Sequence, residues 1–143
     1  MLYINPKIKK ILICAFLIFS AISCENDNMD IIPNVPFTVT LDSNVLLSIG
    51  TGSAVISNNG GVKGLIIYKL SDYEFQAFDR LCTYYPADTA AVLLDNLSMT
   101  ATCPKCKSVY QINLYGQVNK GPAKYALKQY QTLLTGGRLQ IWN

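Results

Sequence analysis

Thr102-Cys103-Pro104-Lys105-Cys106-Lys107-Ser108-Val109-Tyr110 and the earlier Asp79-Arg80-Leu81-Cys82-Thr83-Tyr84-Tyr85-Pro86 hold the three cysteines that lie beyond residue 24. A Cys-x-x-Cys in a loop can chelate a metal, because two sulfurs reach one centre without a backbone detour. Cys82, from a second loop, would complete a three-sulfur set. Lys105 and Lys107 flank Cys106, and positive charge beside a thiol favours the thiolate. The same two lysines also read as ordinary solvated loop residues.

Outward from these loops the chain reads as short strands. Phe37–Leu41 alternates with the period of a half-buried strand, and Val45–Ile49, Ala54–Ile56, Leu65–Tyr68 and Glu74–Asp79 follow as further strand segments. Ala91–Leu94 and Ser98–Thr102 flank an Asp95-Asn96 turn in a hairpin pattern. Val109–Ile112 and Leu139–Trp142 complete the set, with Gly136-Gly137 as the last hairpin turn. Only Ala123–Leu134 mimics helical spacing; it follows Gly121-Pro122 and lacks a sustained apolar stripe. Many short strands at regular turn spacing predict an all-β domain, a small antiparallel sandwich or barrel, over residues 37–143. The tyrosines and phenylalanines fit that core, since aromatics are favoured in strands.

The first residues are of another kind. Lys7, Lys9 and Lys10 precede an apolar run, Ile11–Phe19, too short for a membrane-spanning helix, which needs about 20 residues. Small residues then lead to Cys24, in the order of a secretory signal peptide. Ala21-Ile22-Ser23-Cys24 resembles the lipobox of bacterial lipoproteins, with Ala21 where leucine is more usual. The resemblance implies cleavage after residue 23, a lipid anchor on Cys24, a place in the cell envelope facing periplasm or cell surface, and a tether over residues 24–36 interrupted by Pro33 and Pro36.

Three of the 12 basic residues lie in this leader, so the mature chain carries nine bases against nine acids. The formal excess of +3 is therefore a targeting feature and points to no nucleic-acid partner. The chain has no histidine. That excludes Ser-His-Asp and Cys-His nucleophile systems and every histidine metal site, and no acid–base pair suggests an enzyme acting alone.

The two cysteine loops resemble the cluster-binding loops of Rieske [2Fe–2S] domains, Cys-x-His and Cys-x-x-His-Gly-Ser-x-Phe/Tyr. Cys82-Thr83, Cys103-Pro104, Ser108 and Tyr110 match, and Gly116-Gln117-Val118, Gly121-Pro122-Ala123, Leu127, Tyr130 and Gly137–Ile141 follow the family's closing pattern. The resemblance implies a Rieske-like fold with both loops at one tip, and an electron-transfer role with a redox protein partner. It departs at the ligands: Tyr84 and Cys106 stand at the histidine positions and Lys107 at a glycine. Two histidines serve one iron of a Rieske centre, so that centre cannot form. Three outcomes follow: a disulfide with no metal; an iron–sulfur cluster on Cys82, Cys103 and Cys106 with the Tyr84 phenolate; or zinc on the three cysteines with Tyr84 or water.

Overall fold

In the computed structural model, which describes residues 31–84 and 90–143, the apolar runs pair as antiparallel strands in two sheets. The larger sheet has the order β1–β10–β9–β4–β3–β2, built from Thr38–Leu41 (β1), Ala54–Ser57 (β2), Leu65–Lys69 (β3), Phe75–Asp79 (β4), Gln129–Thr135 (β9) and Arg138–Trp142 (β10). The smaller sheet is a meander of Leu93–Asp95 (β5), Thr100–Thr102 (β6), Val109–Gln111 (β7) and Gln117–Lys120 (β8). The described chain is thus all-β, apart from the helix α1 at Ser43–Ser48 and a 3-10 turn at Ile112–Leu114.

β4 is buried along its whole length. It lies between β3, Ile66 opposite Phe78, and β9, Ala77 opposite Tyr130. Apolar side chains therefore cover both its faces. Leu65, Ile67, Ala77, Tyr130, Leu139 and Ile141 pack on one side; Ile66, Phe78 and Leu127 pack on the other with Cys82, Cys103, Tyr110 and Ile112. The cysteines are part of this second core, at the seam between the sheets.

Asp79, at the end of β4, is fully buried and receives four hydrogen bonds. Its carboxylate oxygens accept the N–H groups of Val62 (2.6 Å), Lys63 (3.4 Å) and Leu81 (2.6 Å) and the Tyr130 hydroxyl (2.7 Å). These satisfy a group that would be costly to bury unpaired. The bond to Leu81 also fixes the chain one residue before Cys82.

Three expectations change. Val45–Ile49 is not a strand: residues 43–48 are helical, because Leu46 and Ile49, three apart, are the buried pair while Leu47 is exposed. Spacing of three suits a helical turn, and a strand would have paired positions two apart. Gln129–Thr135, not assigned a strand from sequence, is the longest one described. Its inward Thr132 weakens the apolar alternation but is satisfied, its hydroxyl donating to the Phe75 carbonyl at 2.8 Å. The domain's contacts also begin before Phe37. Ile32 is buried, and Asn34 Oδ1 accepts bonds from Lys128 Nζ (2.9 Å) and Asn143 Nδ2 (2.6 Å), so residues 31–36 of the expected tether lie on the domain. The leader, Cys24 and the tether up to Asp30 lie outside the described residues.

Candidate metal centre

Each cysteine is placed by a strand end. β4 delivers Asp79, and the chain continues through Leu81, which bridges to Ala91, into Cys82. β6 ends at Thr102, and the turn Cys103–Lys107 returns to β7. Two backbone bonds close that turn: the Cys103 N–H donates to the Ser108 carbonyl (2.8 Å), and the Lys107 N–H to the Cys103 carbonyl (3.1 Å). Lys107 takes a left-handed conformation, φ 62°. This is the position where the resembled motif has glycine, the residue that adopts positive φ without cost. Here a lysine holds that left-handed path.

The three sulfurs converge, all within 4.8 Å of one another. Cys82 Sγ and Cys106 Sγ are 3.4 Å apart and not bonded. Cys82 and Cys103 are buried and Cys106 is partly exposed, so the group opens to solvent on one side. Around a tetrahedral metal with metal–sulfur bonds near 2.3 Å, neighbouring sulfurs lie about 3.8 Å apart. The observed triangle is of that size.

Polar hydrogens surround the sulfurs. Tyr110 Oη lies 3.4 Å from Cys82 Sγ and accepts the Thr83 N–H at 3.2 Å. The Thr83 hydroxyl, 3.0 Å from Tyr110 Oη, donates to the Tyr125 carbonyl at 2.7 Å. Cys106 Sγ and Ser108 Oγ are 3.2 Å apart. Ser108 Oγ already accepts the Ala123 N–H (3.0 Å), so its own proton can turn to the sulfur when the thiol ionises. Gly121 makes this arrangement possible: at φ 103°, a Cβ there would sit 2.5 Å from the Ser108 Cα.

The thiols differ in acidity. Burial pushes Cys82 up to about 11, against the pull of the Tyr110 hydroxyl and the Tyr84 backbone N–H. Burial also opposes ionisation of Cys106, but bonds from the Ser108 side chain and backbone, and then from the other two thiols, bring it below the ordinary thiol value. Tyr110 is held well above the usual phenol value, chiefly by burial and by its bond to Cys82, and stays protonated as a donor. The lysines beside Cys106 are not among the main causes. Lys107 Nζ instead donates to the Pro104 carbonyl at 2.7 Å.

The structure thus brings together Cys82, Cys103 and Cys106, as the loops suggested. The Tyr84 backbone N–H reaches Cys82, and its side chain, 44% exposed, lies on the wall of a cavity of about 260 Å³ shared with Ile31, Thr83, Pro122, Lys124 and Tyr125, which no cysteine lines. Tyr85 and Pro86 lie outside the described residues. The Tyr125 carbonyl was not foreseen as part of the site; a backbone acceptor leaves no mark in residue types. The donor set does not fit a two-cysteine, two-histidine cluster. It fits a centre held by thiolates: three sulfurs at metal-binding separation, with O–H and N–H donors able to offset their charge.

No protein-family model matches the chain, and no curated protein does. Among solved structures, it is similar to a chain of the complex of reduced oxygenase and oxidized ferredoxin in carbazole 1,9a-dioxygenase, at 18% identity, 77% of this chain, 94% of that one and a TM-score of 0.49. It is also similar to the ferredoxin of carbazole 1,9a-dioxygenase from Nocardioides aromaticivorans IC177 (15% identity, 75% of this chain, 96% of that one, TM-score 0.49). A Sphingomonas yanoikuyae B1 ferredoxin gives 21% identity over 68% of this chain and 92% of its own, with a TM-score of 0.47.

Proposed function

We propose that this chain is an exported, lipid-anchored protein of Rieske type that holds an iron–sulfur centre on Cys82, Cys103 and Cys106 and exchanges single electrons with a redox protein partner. The observation that carries the reading is the convergence of three sulfurs from two separate loops to within 4.8 Å. The fourth ligand is the Tyr84 phenolate, at the first histidine position of the resembled motif. An iron–sulfur centre supplies a one-electron couple. The protein's own part is to bury two of the sulfurs, to present hydrogen-bond donors from Tyr110, Ser108 and the Tyr84 backbone, and to leave the Cys106 side accessible. The anchor follows from Cys24 at the end of the leader, and places the protein in the cell envelope.

The test is iron and acid-labile sulfide analysis, with visible absorption, of protein purified anaerobically from its own membranes. Iron and sulfide with a broad visible band support the reading. Zinc at one per chain without sulfide would keep the site and remove electron transfer. A second reading has its own observation: the Cys82 and Cys106 sulfurs, 3.4 Å apart, are placed to close as a disulfide in an oxidising envelope, giving a metal-free binding or structural module. It gains support if metal is absent and thiol titration of the unfolded chain finds Cys103 alone reactive in the domain.

A further inference from the structure

We infer that the cysteine-bearing end of the domain faces the membrane surface, with Lys105, Lys107 and Lys124 among the anionic headgroups of its lipids and Cys106 open to a redox partner held in that same membrane. The inference rests on the lipid-anchor reading of Cys24, and three observations carry it from there.

The first is where the chain enters the fold. Ile31 shares a cavity wall with Thr83, Tyr84 and Tyr125, and Asn34 binds Lys128, so the segment leading back to Cys24 meets the domain beside the sulfur loops. From there β1 runs away from the site, to Leu41 opposite Leu139. The second is reach. Six residues lie between Cys24 and Ile31, and the seven steps span at most about 25 Å. Were the cysteine end turned away from the lipid, the tether would have to pass back along the length of β9, about 20 Å by strand rise, and then clear the far turn. That uses almost the whole reach, whereas the opposite orientation uses little of it.

The third is charge. Residues 24–95 hold all nine acids of the chain and three bases; residues 96–143 hold six bases and no acid. Lys105 and Lys107 lie in the Cys103–Lys107 turn and Lys124 on the cavity wall by Tyr84, all exposed. Asp42, Asp72 and Glu74 lie at the opposite end, around α1 and the β3–β4 turn, where Asp42 pairs with Arg138 and Asp72 with Lys69. Glu25, Asp27, Asp30 and Asp88 lie outside the described residues; among the described ones the cysteine end is the basic end. Tyr125, exposed beside Lys124, is of the residue type that settles at a lipid–water interface. Charge alone would serve an acidic protein equally; the point of entry and the short reach favour the membrane.

The test uses the full, lipidated protein, its anchor first verified by intact mass, in vesicles of phosphatidylcholine with and without phosphatidylglycerol. Lysines are acetylated and their rates read by mass spectrometry. Lys105, Lys107 and Lys124 are expected to react about fivefold more slowly in the anionic vesicles, the effect of lysine attraction to an anionic surface. Lys69 is expected not to change, and high salt should abolish the difference. Comparing two vesicle types cancels any protection these lysines have within the fold. Equal rates in both vesicles on verified lipidated protein would overturn this inference alone, as would protection that appears only with an added acidic protein. A chain without acyl groups would overturn the anchor reading and this inference with it.

Discussion

Removing the three cysteines one at a time separates a metal centre from a disulfide, and the structure sets the size of each effect. Cys82 and Cys106 are 24 residues apart. A bridge between them would stabilise the domain by about 3.5 kcal/mol through the entropy of loop closure in the unfolded chain. A metal bound to the folded chain at a free concentration near 100 times its Kd stabilises by about 2.7 kcal/mol. The two sizes are too similar to tell apart, but the pattern over three variants is not. A metal needs all three sulfurs, so Cys82→Ala, Cys103→Ala and Cys106→Ala should each lose the stoichiometric metal and the metal-dependent part of the stability. A disulfide needs two, so Cys103→Ala would leave stability within about 1 kcal/mol of the parent. Alanine is chosen because a serine hydroxyl at buried Cys82 or Cys103 would add a polar burial cost of its own. The assay is equilibrium urea unfolding of the native, metal-loaded protein, with and without chelator, beside metal analysis of each variant. A Cys103→Ala protein that keeps full stability and loses nothing to chelator would refute the reasoning.

Lys107→Gly should stabilise the domain by about 1 kcal/mol in thermal or urea unfolding, since lysine pays roughly that much for its left-handed backbone and glycine does not. Asp79→Asn should destabilise by about 2–4 kcal/mol in urea unfolding. Each carboxylate oxygen accepts two donors, so an amide turned either way sets its N–H₂ against two of them. Cys24→Ser should release the protein from washed membranes into the soluble envelope fraction, with its urea midpoint unchanged. Continued acyl labelling of that variant would remove the anchor.

The strands that could be read from sequence are those whose own side chains carry the pattern. Leu65–Tyr68 is apolar on both faces because β3 lies between β2 and β4 with core on either side, and no tertiary knowledge is needed to see it. Val45–Ile49 fails for a physical reason: four apolar residues in five satisfy a period of two and a turn of helix alike, and only the burial of Leu46 and Ile49 decides. Gln129–Thr135 was obscured because its inward threonine is paid for by a bond to Phe75, fifty-seven residues away, which no local pattern records. The three sulfur donors were legible because thiols are rare and their spacing is chemical. What the sequence could not place was their setting. Tyr110 reaches Cys82 and Thr83 across 28 and 27 residues, and Gly121 supports Ser108 only through the β7–β8 pairing.

The frame around the site does not depend on the residues at positions 84 and 106. Ser108, Tyr110, Thr83 and Gly121 hold the two loops through hydrogen bonds and close packing that would be made whatever stood at positions 84 and 106. The left-handed turn at Lys107 persists at the expense of local strain. The residues at positions 84 and 106 therefore set the chemistry without setting the path of the chain. Their effect is electrostatic: an imidazole can bind a metal as a neutral ligand, whereas a thiolate or phenolate brings a negative charge. Three thiolates within 4.8 Å repel one another unless a cation lies among them or protons remain on some. The opposed shifts of Cys82 and Cys106 point toward the second solution, the buried thiol holding its proton more tightly than the one bonded to Ser108. A metal ion provides the first. Burial, which makes a lone thiolate at Cys82 unfavourable, then strengthens the attraction between that thiolate and the ion, so the feature that keeps Cys82 protonated without a metal is the one that would hold the metal in place.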